Sequence, residues 1–242
     1  MGKVALFWGL AVISVANILP VAAAPAATIS ISVDTLADSN ASGYQACTAA
    51  ANDCSLRGAI SKANGDAAND YVITLPAGTY QLTLAGSGED LNATGDLDFT
   101  ADHSVQINGA GAGSTFIQAG NNASNGIDRV IDVMAGTLTL QDVTVRYGQS
   151  SNDGGGILND ATLFIQNSAV VTNTATDGGG GITNWGYLTV DNSRISGNTA
   201  VDSSWGYGGG IDSDYWGSFW DPVITVTQSI VSNNTAGTAG GG

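Results

Sequence analysis

One segment of this chain keeps returning. "TLTLQDVTV" begins at Thr137, "TLFIQNSAV" at Thr162 and "YLTVDNSRI" at Tyr187, each 25 residues after the last, and "VITVTQSIV" follows at Val223 after a step of 36. A fixed step in this range marks units that bury their apolar faces only by stacking on one another. The pattern inside the unit says what stacks. Leu138 and Leu140 share one face of an extended strand, while Val143 and Val145 have the opposite parity. Both pairs reach one interior only if the backbone turns a corner at Gln141 and Asp142. The same switch recurs in Leu163 and Ile165 with Ser168 and Val170, in Leu188 and Val190 with Ser193 and Ile195, and in Ile224 and Val226 with Ser229 and Val231. A helix would need apolar spacings of three and four, which these segments lack. Two short strands per repeat, bent around one core, predict an all-β chain folded as a parallel β-helix.

The corner column is then Asp142, Asn167, Asn192 and Gln228, with side chains stacked about 4.8 Å apart and able to hydrogen-bond along the axis. A second column, Asn173, Asn198 and Asn234, suits corners with left-handed backbone. The glycine runs at 154–156, 179–181 and 208–210 supply positive φ and close backbone approach, and Ile157, Ile182 and Ile211 point inward after them. A phosphate-binding role fails, because no helix follows the glycines and no lysine lies near. Upstream, "YVITLPAGTYQLTL", "DLDFTADHSVQINGAGAGSTFI" and "RVIDVMAGTLTL" read as earlier, less regular turns, with no linker to a second domain.

The start of the chain carries an address. Lys3, the apolar run Val4 to Val15 and the small residues Ala22, Ala23 and Ala24 follow the order of a secretory signal peptide over residues 1–24. The alternative is an uncleaved anchor. No later segment is long enough to span a bilayer, so no membrane span is expected after cleavage. The chain has 21 acidic and 6 basic residues, and loss of Lys3 leaves 21 against 5, a net charge of −16. Such a surface repels phosphate backbones, which excludes nucleic acid as a partner. In an exported chain Cys47 and Cys54 pair most simply as a disulfide closing a small loop. A metal site there would need further ligands, and the single histidine, His103, is distant. Ser55 caps a short helix with Leu56, Ile60 and Ala63 on its apolar face, ending near Gly65.

The stretch "CSLRGAI", after "ACTAAANDC", resembles the bacterial CSLREA domain that opens many secreted right-handed β-helix proteins. It departs from that family at Gly58, where the family usually has Glu. The stretches "INGAGAGSTFI" and "GIDRVIDVMAGTLTLQDVTVRYG" and the "GGGI" blocks are similar to it as well, so the resemblance covers most of the mature chain. It implies export and a right-handed β-helix with a short capping helix and a disulfide loop. Such proteins serve as surface adhesins, passenger segments or carbohydrate-active scaffolds. The expected division is a signal peptide at 1–24, a CSLREA-like cap at 25–70 and the β-helix at 71–242. The last repeat stops at Gly242 before its inward apolar residue, which predicts a fragment of a longer protein.

Two functional readings compete. A β-helical polysaccharide lyase or glycoside hydrolase would need paired carboxylates at fixed separation. Asp153, Asp177, Asp212 and Asp214 are the candidates, with Asp202 and Asp221 in the same long repeat. Asp153 and Asp177 sit among glycines, however, which makes them turn residues first. The second reading starts from the repeat that is 36 residues long instead of 25. Its extra residues, four before the glycines and seven after, concentrate Trp205, Tyr207, Tyr215, Trp216, Phe219 and Trp220. Insertions on a stacked-repeat protein gather on one face, and aromatic rings there stack on sugars or anchor protein contacts. The alternative for these rings is a local apolar cluster covering the fold. Thr139, Thr189 and Thr225 do not form an ice-binding row, because Phe164 interrupts it. The expectation is a secreted, cell-surface, adhesin-like protein without a catalytic site, binding a carbohydrate or a host or cell-surface protein. Its only cofactor candidate is calcium, at Asp212 and Asp214. Intact-mass measurement of the secreted chain tests the processing. Loss of about 24 residues and a gain of two hydrogens on reduction are expected, and free thiols before reduction would contradict the pairing.

Overall fold

The computed structural model describes residues 26–202, 204, 206–213, 221–238 and 240–241. The expected signal segment lies outside them. The described chain is mostly β, with one α-helix at Leu56–Asn64 and a 3-10 turn at Ser42–Tyr44. Its strands form four sheets of seven, six, five and four strands, every pairing between them is parallel, and within each sheet the strands follow in chain order. In the seven-stranded sheet Thr162 stands between Thr137 and Tyr187, and Val223 lies opposite Tyr187. The 25-residue step is therefore a pairing register, and so is the step of 36. The second half of each segment belongs to the six-stranded sheet, where Val170 stands between Val145 and Ile195. The change of parity is a change of sheet. It happens at Asp142, Asn167, Asn192 and Gln228, all with left-handed φ of 46° to 58°.

Apolar side chains from the seven-, six- and five-stranded sheets meet in one buried cluster running from Ile31 to Ile195. Rows such as Leu138, Leu163 and Leu188, or Leu140, Ile165 and Val190, are almost wholly excluded from water. The next members, Ile224 and Val226, are 38% and 42% exposed, since no described strand follows them in that sheet. Gly179 has φ +60°, and the next residue, Gly180, approaches the backbone of Thr199 and Gly209 too closely to admit a Cβ. This is the conformational and steric demand that repeats along the glycine runs.

The second asparagine column differs from expectation. The left-handed residue is the one before it, at Thr172, Gly197 and Asn233. Asn173, Asn198 and Asn234 turn their side chains inward instead. Asn173 Nδ2 donates to Asn198 Oδ1 and Asn198 Nδ2 to Asn234 Oδ1, both at 3.0 Å, while the same two oxygens accept the backbone N–H of Asn173 and Asn198 at 3.0 Å. The amide hydrogens also reach the carbonyls of Val170 and Ile195 at 3.0 Å. One buried amide thus satisfies backbone groups in its own and neighbouring repeats, which a left-handed backbone alone would not do. Ser168, Ser193 and Ser229 form a second ladder, each hydroxyl accepting the N–H of the residue one repeat earlier at 2.9–3.1 Å.

At the N-terminal end, Thr28–Ser32 pairs with Asp70–Thr74 and is the first strand of the long sheet. The disulfide Cys47–Cys54 and the helix lie between these two strands. Ser55 caps the helix by accepting the N–H of Gly58 at 2.9 Å, and Leu56, Ile60 and Ala63 face the core, as the sequence predicts. Gly58 itself has a steric reason. The helix packs on the 3-10 turn so closely that a Cβ there would overlap the carbonyl oxygen of Tyr44 and sit 2.7 Å from its carbon. Alanine would gain about 1 kcal/mol of helix propensity, but overpacking against backbone costs about 1–3 kcal/mol. Gly58→Ala is expected to lower the free energy of unfolding in urea, and Gly58→Glu to lower it further; a stabilised Gly58→Ala would contradict this packing.

Candidate functional site

The stretches "GDLDF" and "RVIDV" place strands at Leu97–Phe99 and Ile131–Val133, paired in register in the five-stranded sheet. Leu97, Phe99, Ile131 and Val133 enter the core, so alternation sends Asp98 and Asp132 to the other face, directly opposite each other. In later repeats the same column holds Leu158, Thr183 and Asp212. An outward residue would ordinarily meet water. Here the segment before Leu97 folds over the sheet, and Asp98 is 1% and Asp96 4% exposed.

Arg57, from the "CSLRGAI" stretch, holds that segment down. It is 1% exposed, its Nε lies 2.6 Å from Asp38 Oδ1, and its terminal nitrogens donate to the carbonyls of Asp96 at 2.6 Å and Gly95 at 2.7 Å. Asn92, left-handed and fully buried, donates its N–H to Asp98 Oδ2 at 2.7 Å and its side-chain amide to the Arg57 carbonyl and to Ser61. The buried arginine is thus fully paired, the condition under which a buried charge is tolerated.

On the other side of this segment the charges do not balance. Arg129 Nε lies 3.0 Å from Asp96 Oδ2 and Nη1 lies 3.6 Å from Asp132 Oδ2. Neither approach has hydrogen-bond alignment, so the attraction is coulombic. Asp128 and Asp160 stand close enough to act on the same group. Burial pushes Asp96 up to about 8, helped by the neighbouring Asp98 and Asp128 and opposed by Arg129. Burial likewise lifts Asp98 to about 7, against the Asn92 N–H, and Asp132 to about 6, against Arg129. Asp128 and Asp160 are raised by burial too. A carboxylic acid with a raised pKa is what a glycosidase needs, but Asp98 at 1% exposed cannot touch a sugar ring.

None of the described residues singled out from the sequence belongs to this cluster. Of the aromatic set, Tyr207 is described and is 38% exposed; Trp205, Tyr215, Trp216, Phe219 and Trp220 lie outside the described residues, as does Asp214. Asp153 and Asp212 both come against Gly178, and Asp153 Oδ1 accepts its N–H at 2.9 Å. Asp177 is raised by burial and by Asp153 and Asp202. These half-buried acids form a second acidic group with a turn-forming duty. A groove of 410 Å³ runs past the corner column, lined by Asn167, Asn192, Arg194 and Gln228 among others. It presents planar hydrogen-bonding groups in a row, with Asn192 Nδ2 donating to Asn167 Oδ1 at 2.7 Å.

The buried cluster was missed because Asp96, Asp98, Asp128, Arg129 and Asp132 sit in the irregular half. A signal existed: "DLNATGDLD" carries oxygen-bearing side chains at alternate positions around Gly95, which has φ +62°. No family model, curated protein or solved structure matches the chain.

The raised carboxylates fix the sign of one pH effect. Each binds its proton more tightly folded than unfolded, where Asp titrates near 3.9. Their stabilisation is full below that value and is lost as pH rises through about 6, 7 and 8. In divalent-free buffer, urea stability is expected to fall between pH 5 and pH 8 by a few kcal/mol, and Asp98→Asn to flatten the slope. A stability that rises over that window would contradict the burial of uncompensated acids.

Proposed function

We propose that the four parallel sheets are the faces of one right-handed parallel β-helix, and that the chain is a CSLREA-type exported, non-enzymatic surface protein of adhesin-like character. The observation that carries the binding reading is the way the long repeat is accommodated. Ile211 still pairs with Ile182, Val223 with Tyr187, Ile230 with Arg194 and Thr235 with Thr199. Register survives in all four sheets, so the additional residues fall between strands and not within them. Retaining an aromatic-rich insertion that the sheets do not need is the mark of a recognition loop. The Cys47–Cys54 disulfide fits an oxidising compartment, and no helix among the described residues is long and apolar enough to cross a membrane.

The ligand class this reading favours is carbohydrate. Flat aromatic rings stack on sugar faces, and the groove beside Asn167, Asn192 and Arg194 offers hydrogen-bond donors and acceptors at the strand spacing. Cell-surface glycans and glycoproteins are the partners that combine both. A glycan array on the purified mature chain, repeated with Trp216→Ala/Trp220→Ala, tests the reading. Binding without product release is expected, with a loss of about 30-fold or more in the double variant and unchanged β circular dichroism. A new reducing end or an unsaturated sugar would make the chain an enzyme, and undiminished binding would move the site off the insertion.

A further inference from the structure

The buried acids beside Arg129 have unmet demands that the protein's own groups do not fill. One carboxylate oxygen from each of Asp96, Asp98 and Asp132 lies within 4.8 Å of the other two. Three oxygens within that distance share a centre no more than about 2.8 Å from each, so a shift of a few tenths of an ångström at most brings all three to the 2.3–2.6 Å of calcium ligands. Proximity of acids alone would mean little. The independent observation concerns what the individual atoms lack. Asp98 is 1% exposed, its Oδ2 accepts the Asn92 N–H, and its Oδ1 is buried with no hydrogen-bond partner. Asp132, 9% exposed, has its Oδ1 orphaned in the same way. Arg129 approaches Oδ2 of Asp96 and Oδ2 of Asp132, so its charge is spent on other oxygens.

The surroundings specify the occupant. Asp96, Asp128, Asp132 and Asp160 share one guanidinium, with Asp98 beside Asp96 and Asp132, an excess of negative charge that burial makes costly. Among the described residues the donors are oxygens only, which select a hard divalent cation over zinc or copper. The flexible, multi-carboxylate geometry favours calcium over the strictly octahedral magnesium. Asp90, which is exposed, adds to the negative potential at both Asp98 and Asp132.

We propose that Asp96, Asp98 and Asp132 bind one calcium ion that ties the segment before Leu97 to the two strands beneath it. Arg129 is the fixed counter-charge on the oxygens the ion leaves free. The site differs from Asp212 and Asp214, and it stands whether or not the insertion binds a glycan. Its effect is structural: the ion joins two successive strands of the five-stranded sheet and, through Asp96 and the Arg57 clamp, the helix.

The test uses the mature chain freed of metal with EDTA, then titrated with calcium chloride at pH 7 by calorimetry and by thermal melting. One ion per chain is expected, with protons released on binding, and a melting point raised by roughly 5–10 °C at a hundredfold excess over Kd. Asp98→Asn and Asp132→Asn should each weaken binding at least tenfold; if one fails to fold, the other carries the comparison. Asp153→Asn/Asp212→Asn, which alters the second, half-buried acidic group, should leave it unchanged. No heat and no melting shift at about 10 mM calcium, above the range of extracellular calcium modules, would overturn the proposal and assign neutralisation to protons. Binding that survives both single variants, or that is lost in the Asp153/Asp212 variant, would overturn it equally.

Discussion

Asn173, Asn198 and Asn234 are buried amides that satisfy one another and the backbone groups around them. Asn173 and Asn198 are closed off from solvent. Their hydrogen bonds hold only if each repeat lies directly on the next, in register to the residue. A slip of one position would turn every inward side chain outward and leave several buried donors and acceptors unpaired, each costing about 1–3 kcal/mol. The serine ladder and the left-handed corners impose the same register from other sides of the repeat. Strand pairing, the apolar rows and the glycine contacts all depend on that condition.

Much of this was legible because the repeat states it several times. The parity switch in "TLTLQDVTV" locates the change of sheet, and the corner column at Asp142, Asn167, Asn192 and Gln228 is where the backbone turns left-handed. The asparagine column was placed one residue off the turn, since asparagine suits both a left-handed backbone and a buried ladder, and composition does not separate the two. A further ladder, Asn159 to Asn184 at 2.7 Å, joins the last residues of two strands and is equally fully buried. The buried acids were out of reach for a different cause. Alternation tells which side of a strand a residue occupies, but not what covers that side. Asp98 is buried because a segment that precedes it in the chain, pinned by Arg57, lies across the sheet. That is a long-range fact with no local signature.

The two ends of the chain use charge differently. In the regular half the buried polar groups are neutral, and its buried asparagines pair with their own kind one repeat away. In the first half, a buried guanidinium at Arg57 and an overloaded one at Arg129 organise segments that do not repeat. The first is matched by Asp38 and two carbonyls; the second faces more carboxylates than it can neutralise. The contrast separates a cap that closes the core from a polar group with capacity for a further positive charge. The strands that flank the long repeat keep the pairing of the regular half.

The register itself is the claim to test. Phe164 and Thr189 are paired neighbours in the seven-stranded sheet, whereas Phe164 and Val190 belong to opposite faces. Two double-cysteine variants, Phe164→Cys/Thr189→Cys and Phe164→Cys/Val190→Cys, can be oxidised under mild conditions and the new disulfide scored by peptide mass mapping. Pairing at the strand spacing, close to the 4.4–6.8 Å that a disulfide spans between Cα atoms, predicts efficient closure of the 164/189 bond and little of the 164/190 bond. Equal closure of both, or preference for 164/190, would contradict the 25-residue register on which the fold rests.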